Sequence, residues 1–228
     1  MSSAGTYEML EKRATATAAG PTISLPTIQH LRSNGLKSST LNRAIIGGSS
    51  CPKAVIEAFQ KDYGVFVMHA WGMTETSPLG TMCSFKPEVD GLSPDDKLPL
   101  QTSVGHPPFG VDLRITDDDG AEMPWDGESQ GKLWIRGPGI VKRYHQMDDD
   151  AVGEDQWVDT GDVATMDAYA YVRITDRSKD VIKSGGEWIS SIDLENAAVA
   201  HPQVAEAAAI GVPHPKWAER PILCVVGV

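Results

Sequence analysis

LNRAIIGGSSCPKAVIEAFQKDYGVFVMHAWGMTETSP, the stretch from Leu41 to Pro78, holds two apolar runs separated by one amphipathic segment. Leu41 to Ile46 reads as a strand, interrupted by polar Asn42 and Arg43, and runs into Gly47-Gly48-Ser49-Ser50-Cys51. Pro52 is a favoured first helical residue. Ala54, Val55, Ala58 and Phe59 give that helix an apolar face, and Gly64 ends it. Val65 to Met68 is a second buried strand, closed by the sharp polar loop His69–Pro78. Strand, Gly-rich loop, helix, strand is a βαβ unit, and ligands of such units sit at the carboxyl ends of the strands.

The two loops at those ends carry residues suited to a nucleotide. In Trp71-Gly72-Met73-Thr74-Glu75 an aromatic ring can cover a base and Gly72 lets backbone approach a ligand. Thr74 can bond a phosphate oxygen, and Glu75 can hold a hard cation such as Mg²⁺. Gly47-Gly48-Ser49 offers exposed amides and a small hydroxyl at a helix start. It is not a Walker-type loop, because no Lys-Ser/Thr follows. Each loop taken alone reads equally well as a tight turn.

Working outward, residues 1–20 are rich in Ser, Ala and Thr, with one helical candidate from Tyr7 to Arg13. Leu25, Ile28 and Leu31 share a helical face that Asn34-Gly35 stops. On the other side, Asp90 to Pro108 is Pro- and Gly-rich without periodicity and reads as a surface loop. Val111, Leu113 and Ile115 then alternate with polar residues before the turn Asp117-Asp118-Asp119-Gly120. Leu133-Trp134-Ile135 is another strand, and Tyr171 to Thr175 a third, so this section reads as a small antiparallel barrel or sheet. Between them, Trp157-Val158-Asp159-Thr160-Gly161-Asp162 sets two carboxylates around Thr-Gly, able to accept the hydroxyls of a ribose or to form a plain acidic turn. Asp148-Asp149-Asp150 reads as a solvated loop rather than a cation site.

Asp176 to Glu187 opens with four charged residues in five and ends in Lys183-Ser184-Gly185-Gly186-Glu187. It reads as an interdomain linker passing close to a ligand. Ser190 or Ser191 caps a helix through Leu194 to Ala200, which His201-Pro202 stops. Val204 to Val212 is strand-like until Pro213, and Leu223 to Val228 begins a further strand. An apolar strand at the end of the chain leaves unpaired edge groups, so the expectation is a partial domain.

The 228 residues suffice for one or two domains, and 41% apolar with 22% charged residues is ordinary for a globular protein. A net charge of −11 argues against nucleic acid and against anionic membranes as partners. No apolar run approaches the length of a transmembrane segment. Cys51, Cys83 and Cys224 are odd in number and form no metal-spaced pair, which fits a reduced, cytoplasmic protein. Cys51 stands at a helix start that favours a thiolate, yet a structural thiol is the preferred reading. His69, His106, His145, His201 and His214 are scattered, and no nucleophile elbow accompanies them.

Trp71 to Glu75, Gly131-Lys132-Leu133-Trp134-Ile135-Arg136-Gly137-Pro138, Trp157 to Asp162, and Asp176 to Glu187 occur in this order. Together they resemble the adenylate-forming (AMP-binding) superfamily of acyl-CoA synthetases, luciferases and peptide-synthetase adenylation domains. The wording from Ile174 to Ser191 is similar to the fatty-acyl-CoA ligase branch, near the medium-chain and methylmercaptopropionate-CoA ligases. The resemblance runs from about Tyr7 to the last residue. It implies an α/β fold: the later half of a large AMP-binding domain over 1–177 (a βαβ part to about 108, a β subdomain over 109–177), then a hinge-linked C-terminal domain from 178. It also implies an ATP-dependent acid–thiol ligase with Mg²⁺ and coenzyme A, acting on a small or fatty carboxylic acid.

Residue by residue, the resemblance places Gly47, Gly48 and Ser49 at the adenine, Trp71 against the base or the acyl chain, and Gly72 and Met73 among the nucleotide-binding residues. Thr74 would meet phosphate and Glu75 would ligate Mg²⁺. Asp162 would hold the ribose hydroxyls and Arg177 the ribose or phosphate. Lys179 would be the hinge, and Lys183 with Gly185-Gly186 would serve thioester formation. Departures are as informative. The relatives' upstream phosphate loop and their late adenylation lysine have no counterpart here, so the isolated chain is expected to adenylate poorly. Lys132 stands where relatives usually carry Glu, and Ala170 takes the place of a turn glycine. A non-catalytic adenylate-binding module and an adenylation domain that loads a carrier protein are the alternatives. Acyl-chain length and oligomeric state are not legible.

Overall fold

A computed structural model describes residues 2–37, 40–153, 155–199, 201 and 203–227. The chain divides into two compact units. The first comprises Met1–Asp112, Gly137–Val152 and Tyr169–Arg173, and the second Leu113–Arg136, Gly153–Ala168 and Ile174–Val228.

The first unit begins with α1 (Ser3–Leu10), capped by Ser2, whose Oγ accepts the Gly5 N–H at 3.2 Å. The helix starts four residues before the expected Tyr7 and does not reach Arg13, which adopts a left-handed φ of 69°. Then come β1 (Ala16–Ala19), α2 (Pro21–Ser33), β2 (Arg43–Gly47), α3 (Lys53–Tyr63), β3 (Phe66–Trp71) and β4 (Thr81–Met82). The sheet has the order β1-β2-β3-β4, parallel between β1, β2 and β3 and antiparallel at β4. The expected βαβ unit is therefore present, with Pro52 as the N-cap of α3 and Gly64 left-handed at its end. On α2, Ile28 and Leu31 are buried but Leu25 is exposed, and Ser24 and Thr27 complete the inner face. The core gathers Ile28, Ile46, Val55, Ile56, Phe59, Val65 and Val67. Burying each such side chain is worth about 1.5–3 kcal/mol, the main term holding α3 on the sheet.

The stretch from Asp90 to Pro108 is not a simple surface loop. It contains α4 (Pro94–Thr102), where Ser93 Oγ accepts the Asp96 N–H at 3.2 Å and Asp95 and Asp96 lie in the first turn. Pro94 suits that first turn, where backbone N–H groups have no helical partner anyway. Gln101, on the inner face of α4, is buried, donating to Val67 O at 2.9 Å and accepting from Gln60 Nε2 at 2.9 Å.

The next sheet is built from β5 (Asp112–Thr116), β6 (Gly131–Arg136), β7 (Val158–Met166) and β8 (Val172–Arg177), in that order, with β6 and β7 antiparallel. Leu113, Ile115, Leu133, Ile135, Val163 and Met166 line its buried face. Trp157 to Asp162 is thus not a plain turn: all but Trp157 belong to β7. Asp176 to Glu187 is also more regular than a bare linker. The segment folds into β9 (Ile182–Ser184) and β10 (Glu187–Ile189), an antiparallel hairpin with Val181, Ile182 and Ser184 buried.

Helix α5 (Ser191–Val199) starts at the expected cap, Ser190, whose Oγ accepts the Asp193 N–H at 3.1 Å. Ala200 and Pro202 lie outside the described residues. The last elements are β11 (Val204–His214) and β12 (Ala218–Gly227), in a sheet ordered β10-β9-β12-β11. Pro213 does not break β11, because β11 is an edge strand and its missing N–H need not face a neighbour. Strand β12 likewise starts before Leu223, and Val228 is outside the described residues.

Candidate functional site

In the first unit the site residues collect at the carboxyl ends of β2 and β3, which lie side by side with Gly47 opposite Ala70. Gly47 ends β2, and Gly48 and Ser49 carry the chain away from it. His69, on β3, anchors that loop: its Nε2 accepts the Cys51 N–H at 3.3 Å. Its Nδ1 lies 3.1 and 3.0 Å from the Thr102 and Ser103 carbonyls, so this nitrogen carries the proton. His69 is buried, and burial pushes its pKa below the ordinary value, against which the carbonyl bonds act. It is structural. Cys51 is structural too: burial pushes its thiol up to about 12, the opposite of an activated thiolate.

Trp71 ends β3, and Gly72 turns the chain. A side chain at Gly72 would place its Cβ 1.9 Å from Pro78 O, so only glycine closes this loop. Thr76 ties it down, with Oγ1 donating to Met73 O at 2.9 Å and accepting the Met73 N–H at 3.0 Å. Thr74 and Glu75 sit on the 3₁₀ turn this creates, with Thr74 exposed. The segment after Gly137 braces the same loop: Val141 N–H donates to Glu75 O at 2.8 Å and Ser77 Oγ to Gly139 O at 2.8 Å. Tyr144 Oη donates to Glu75 Oε1 at 2.9 Å, a partner that local sequence could not reveal. Oε2 has no hydrogen-bond partner among the described residues. One free carboxylate oxygen beside an exposed hydroxyl fits Mg²⁺, which keeps several waters and takes its other ligands from phosphates. Among the described residues no group of three or more His, Cys, Asp or Glu side chains is placed to hold a metal ion.

The second unit carries the other expected residues. Opposite two steps of β6, from Lys132 to Trp134, β7 advances four, from Val163 to Asp159, which is a bulge centred on Gly161. Bulges re-aim side chains. Asp162 is thereby turned inward to 2% exposure, and its Oδ1 meets Arg177 Nη1 at 3.0 Å. Asp176, also buried, accepts the Ser191 N–H at 2.6 Å and the Arg177 N–H at 2.8 Å, seating α5 behind Arg177. Lys179 is exposed in the turn before β9.

Lys183 lies on β9. Its N–H donates to Glu219 Oε2 at 2.8 Å, and its Nζ is 2.6 Å from Asp118 Oδ2 and 4.6 Å from the Trp188 ring centre. Gly185 and Gly186 make the hairpin turn at φ 63° and 91°. Gly185 packs so closely on Trp217 that an added Cβ would lie 2.6 Å from its ring. The geometry therefore brings together Gly47 to Ser49 with Trp71 to Glu75 in one unit. In the other it pairs Asp162 with Arg177 and places Lys183 beside Gly185-Gly186. Tyr144, Asp118, Glu219 and Trp217 are partners that sequence spacing could not supply.

Residues 4–145 match the AMP-binding enzyme family, and residues 193–228 match the AMP-binding enzyme C-terminal domain. The chain is 50% identical over 206 residues to 3-methylmercaptopropionyl-CoA ligase of Ruegeria lacuscaerulensis, covering 90% of the chain and 38% of that protein. It is 50% identical over 193 residues to the medium-chain-fatty-acid–CoA ligase of Ectopseudomonas oleovorans, covering 85% of the chain and 35% of that protein. The chain thus spans less than two fifths of the length of these two curated relatives. Among solved structures, it is similar to o-succinylbenzoate CoA synthetase from Bacillus subtilis in complex with its acyl-adenylate intermediate. The TM-score is 0.82 at 26% identity, covering 100% of the chain and 44% of that protein.

Proposed function

The chain belongs to the AMP-binding enzyme family, and from that premise we propose that it serves an ATP-dependent acyl-CoA ligase. Such a ligase joins a carboxylate to the AMP of ATP with release of pyrophosphate. It then passes the acyl group to the thiol of coenzyme A, releasing AMP. The observation carrying this reading is the loop after β3, which presents Thr74 and Glu75 beside the Gly47–Ser49 loop at the carboxyl ends of parallel strands.

Each residue is assigned a role its chemistry suits. Thr74 donates its hydroxyl to a phosphate oxygen. The Glu75 carboxylate, oriented by Tyr144, supplies one hard oxygen to Mg²⁺, which neutralises phosphate charge when bound. Asp162 accepts from the ribose hydroxyls, and Arg177, exposed at its outer end, donates to ribose or phosphate. Gly47, Gly48 and Ser49 line the adenine, with Trp71, Gly72 and Met73 alongside. Lys183 and the Gly185-Gly186 turn serve thioester formation, and Lys179 is the hinge of the C-terminal domain that begins near residue 178. The substrate is a small or fatty carboxylic acid, and the setting is the reducing cytoplasm.

Calorimetric titration with AMP and with a non-hydrolysable acyl-adenylate analogue tests this. The chain is expected to bind both, and Asp162→Asn to weaken binding about 10- to 100-fold, the loss of a charge-assisted hydrogen bond. Glu75→Gln is expected to remove the Mg²⁺ enhancement of ATP binding and to leave AMP binding in place. Failure of the unmodified chain to bind AMP or the analogue would overturn the reading. ATP–pyrophosphate exchange by the isolated chain is expected to be weak on this reading and on the non-catalytic adenylate-binding alternative alike, so nucleotide binding, not exchange, decides the test.

A further inference from the structure

The turn between β5 and β6 is rigid. Asp117 Oδ1 accepts the Asp119 N–H at 2.9 Å and the Ala121 N–H at 2.8 Å, and Asp117 N–H donates to Ala121 O at 2.9 Å. The turn holds Asp118 outward, and both carboxylate oxygens are engaged by different strands. Oδ1 lies 3.0 Å from Lys132 Nζ on β6, and Oδ2 lies 2.6 Å from Lys183 Nζ on β9. The two ammoniums, that of Lys183 foremost, hold the Asp118 carboxyl below the usual carboxylate range.

We infer that Asp118 is a positioning residue that clasps Lys183 in a stored position, with Lys132 as a built-in competitor for the same carboxylate. One negative charge cannot neutralise two positive ones, so the three-group cluster keeps a net charge of +1. Each lysine weakens the other's hold. Lys183 is partly exposed, and its ammonium, while on Asp118, also lies over the face of Trp188, so its departure into solvent meets no large desolvation barrier. The significance of the clasp rests on the reading that gives Lys183 to thioester formation. An ammonium bound to Asp118 cannot at the same moment serve an acyl-adenylate, so Asp118 sets the fraction of molecules with Lys183 free. Lys132, standing where relatives usually carry Glu, tunes that fraction upward.

Competitive acetylation of the full chain, read lysine by lysine by mass spectrometry, tests the clasp. Exposed Lys179, four residues away, is the internal reference. Asp118→Asn is expected to raise the labelling of Lys183 and of Lys132 about two- to fivefold relative to Lys179, the range an exposed charge pair supports. Asp118→Glu should restore protection. Lys132→Met should shift Lys183 the other way, lowering its labelling, an opposed pair of changes that general loosening of the fold cannot produce. Unchanged Lys183 labelling in Asp118→Asn, or a rise in Lys132→Met, would overturn the inference. These readouts need no nucleotide: loss of AMP binding by the unmodified chain would defeat the ligase reading and leave the labelling result intact.

Discussion

At the scale of single residues, His69 shows how one side chain couples fold to site. It donates inward to the start of the Thr102–Ser103 segment and accepts from Cys51, fixing the loop that begins at Gly48. Burial disfavours its imidazolium, so its pKa is lower in the folded than in the unfolded chain, where it is about 6.5. The stability that follows is complete above about pH 6.5 and is lost as pH falls, because the unfolded chain takes up the proton first. The urea midpoint is therefore expected to drop between pH 7.5 and pH 5.5, and the drop should shrink in His69→Gln. An equal drop in both proteins would show that other groups carry the pH dependence. The sequence put His69, Thr74 and Glu75 in one polar loop after a strand, and that much was legible. Tyr144 was not, because it meets Glu75 across 69 positions of chain and no local pattern records such a contact.

At the scale of elements, the turn between β7 and β8 makes a sharper test. Ala170, read from the sequence as standing in for a glycine, adopts a φ of 63°, a conformation that costs a residue with a Cβ about 1–2 kcal/mol. Ala170→Gly removes that strain and adds entropy to the unfolded chain. The net expected gain is about 0.5–1 kcal/mol, seen as a higher urea midpoint with an unchanged slope. A loss would mean that the alanine methyl makes a compensating contact. Elements with periodicity were legible, as α3, β5 and β6 show, since alternation or a helical face is local information. Others were hidden for identifiable reasons. Strand β1 is Ala16-Thr17-Ala18-Ala19, with little intrinsic strand preference, and becomes a strand by pairing with β2. Helix α4 carries two prolines that read as breakers, though one sits in the first turn where proline is favoured. The bulge at Gly161 and the β9–β10 hairpin looked like turn and linker because their polar residues take distant partners, Asp162 with Arg177 and Lys183 with Asp118 and Glu219.

At the scale of the whole molecule, 31 acidic and 20 basic residues give the net charge of −11 and a pI near 4.9. Ile210, Ile222, Leu223, Val225 and Val226 are exposed on β11 and β12, and charge repulsion opposes their association. Light scattering is expected to be low at pH 8 and to rise steeply near pH 5, where that repulsion vanishes; equal scattering at both would assign solubility to something other than net charge. Among the described residues no helix is long and apolar enough to cross a membrane. The residues by themselves determined the βαβ unit, the four ordered motifs and hence the family, because apolar period, glycine placement and short motifs are written locally along the chain. Only the tertiary structure decided that Glu75 is oriented by Tyr144, that a bulge buries Asp162 against Arg177, and that Asp118 holds Lys183. Those are contacts between distant segments, and their geometry depends on strand register and backbone path, which no single stretch of sequence specifies.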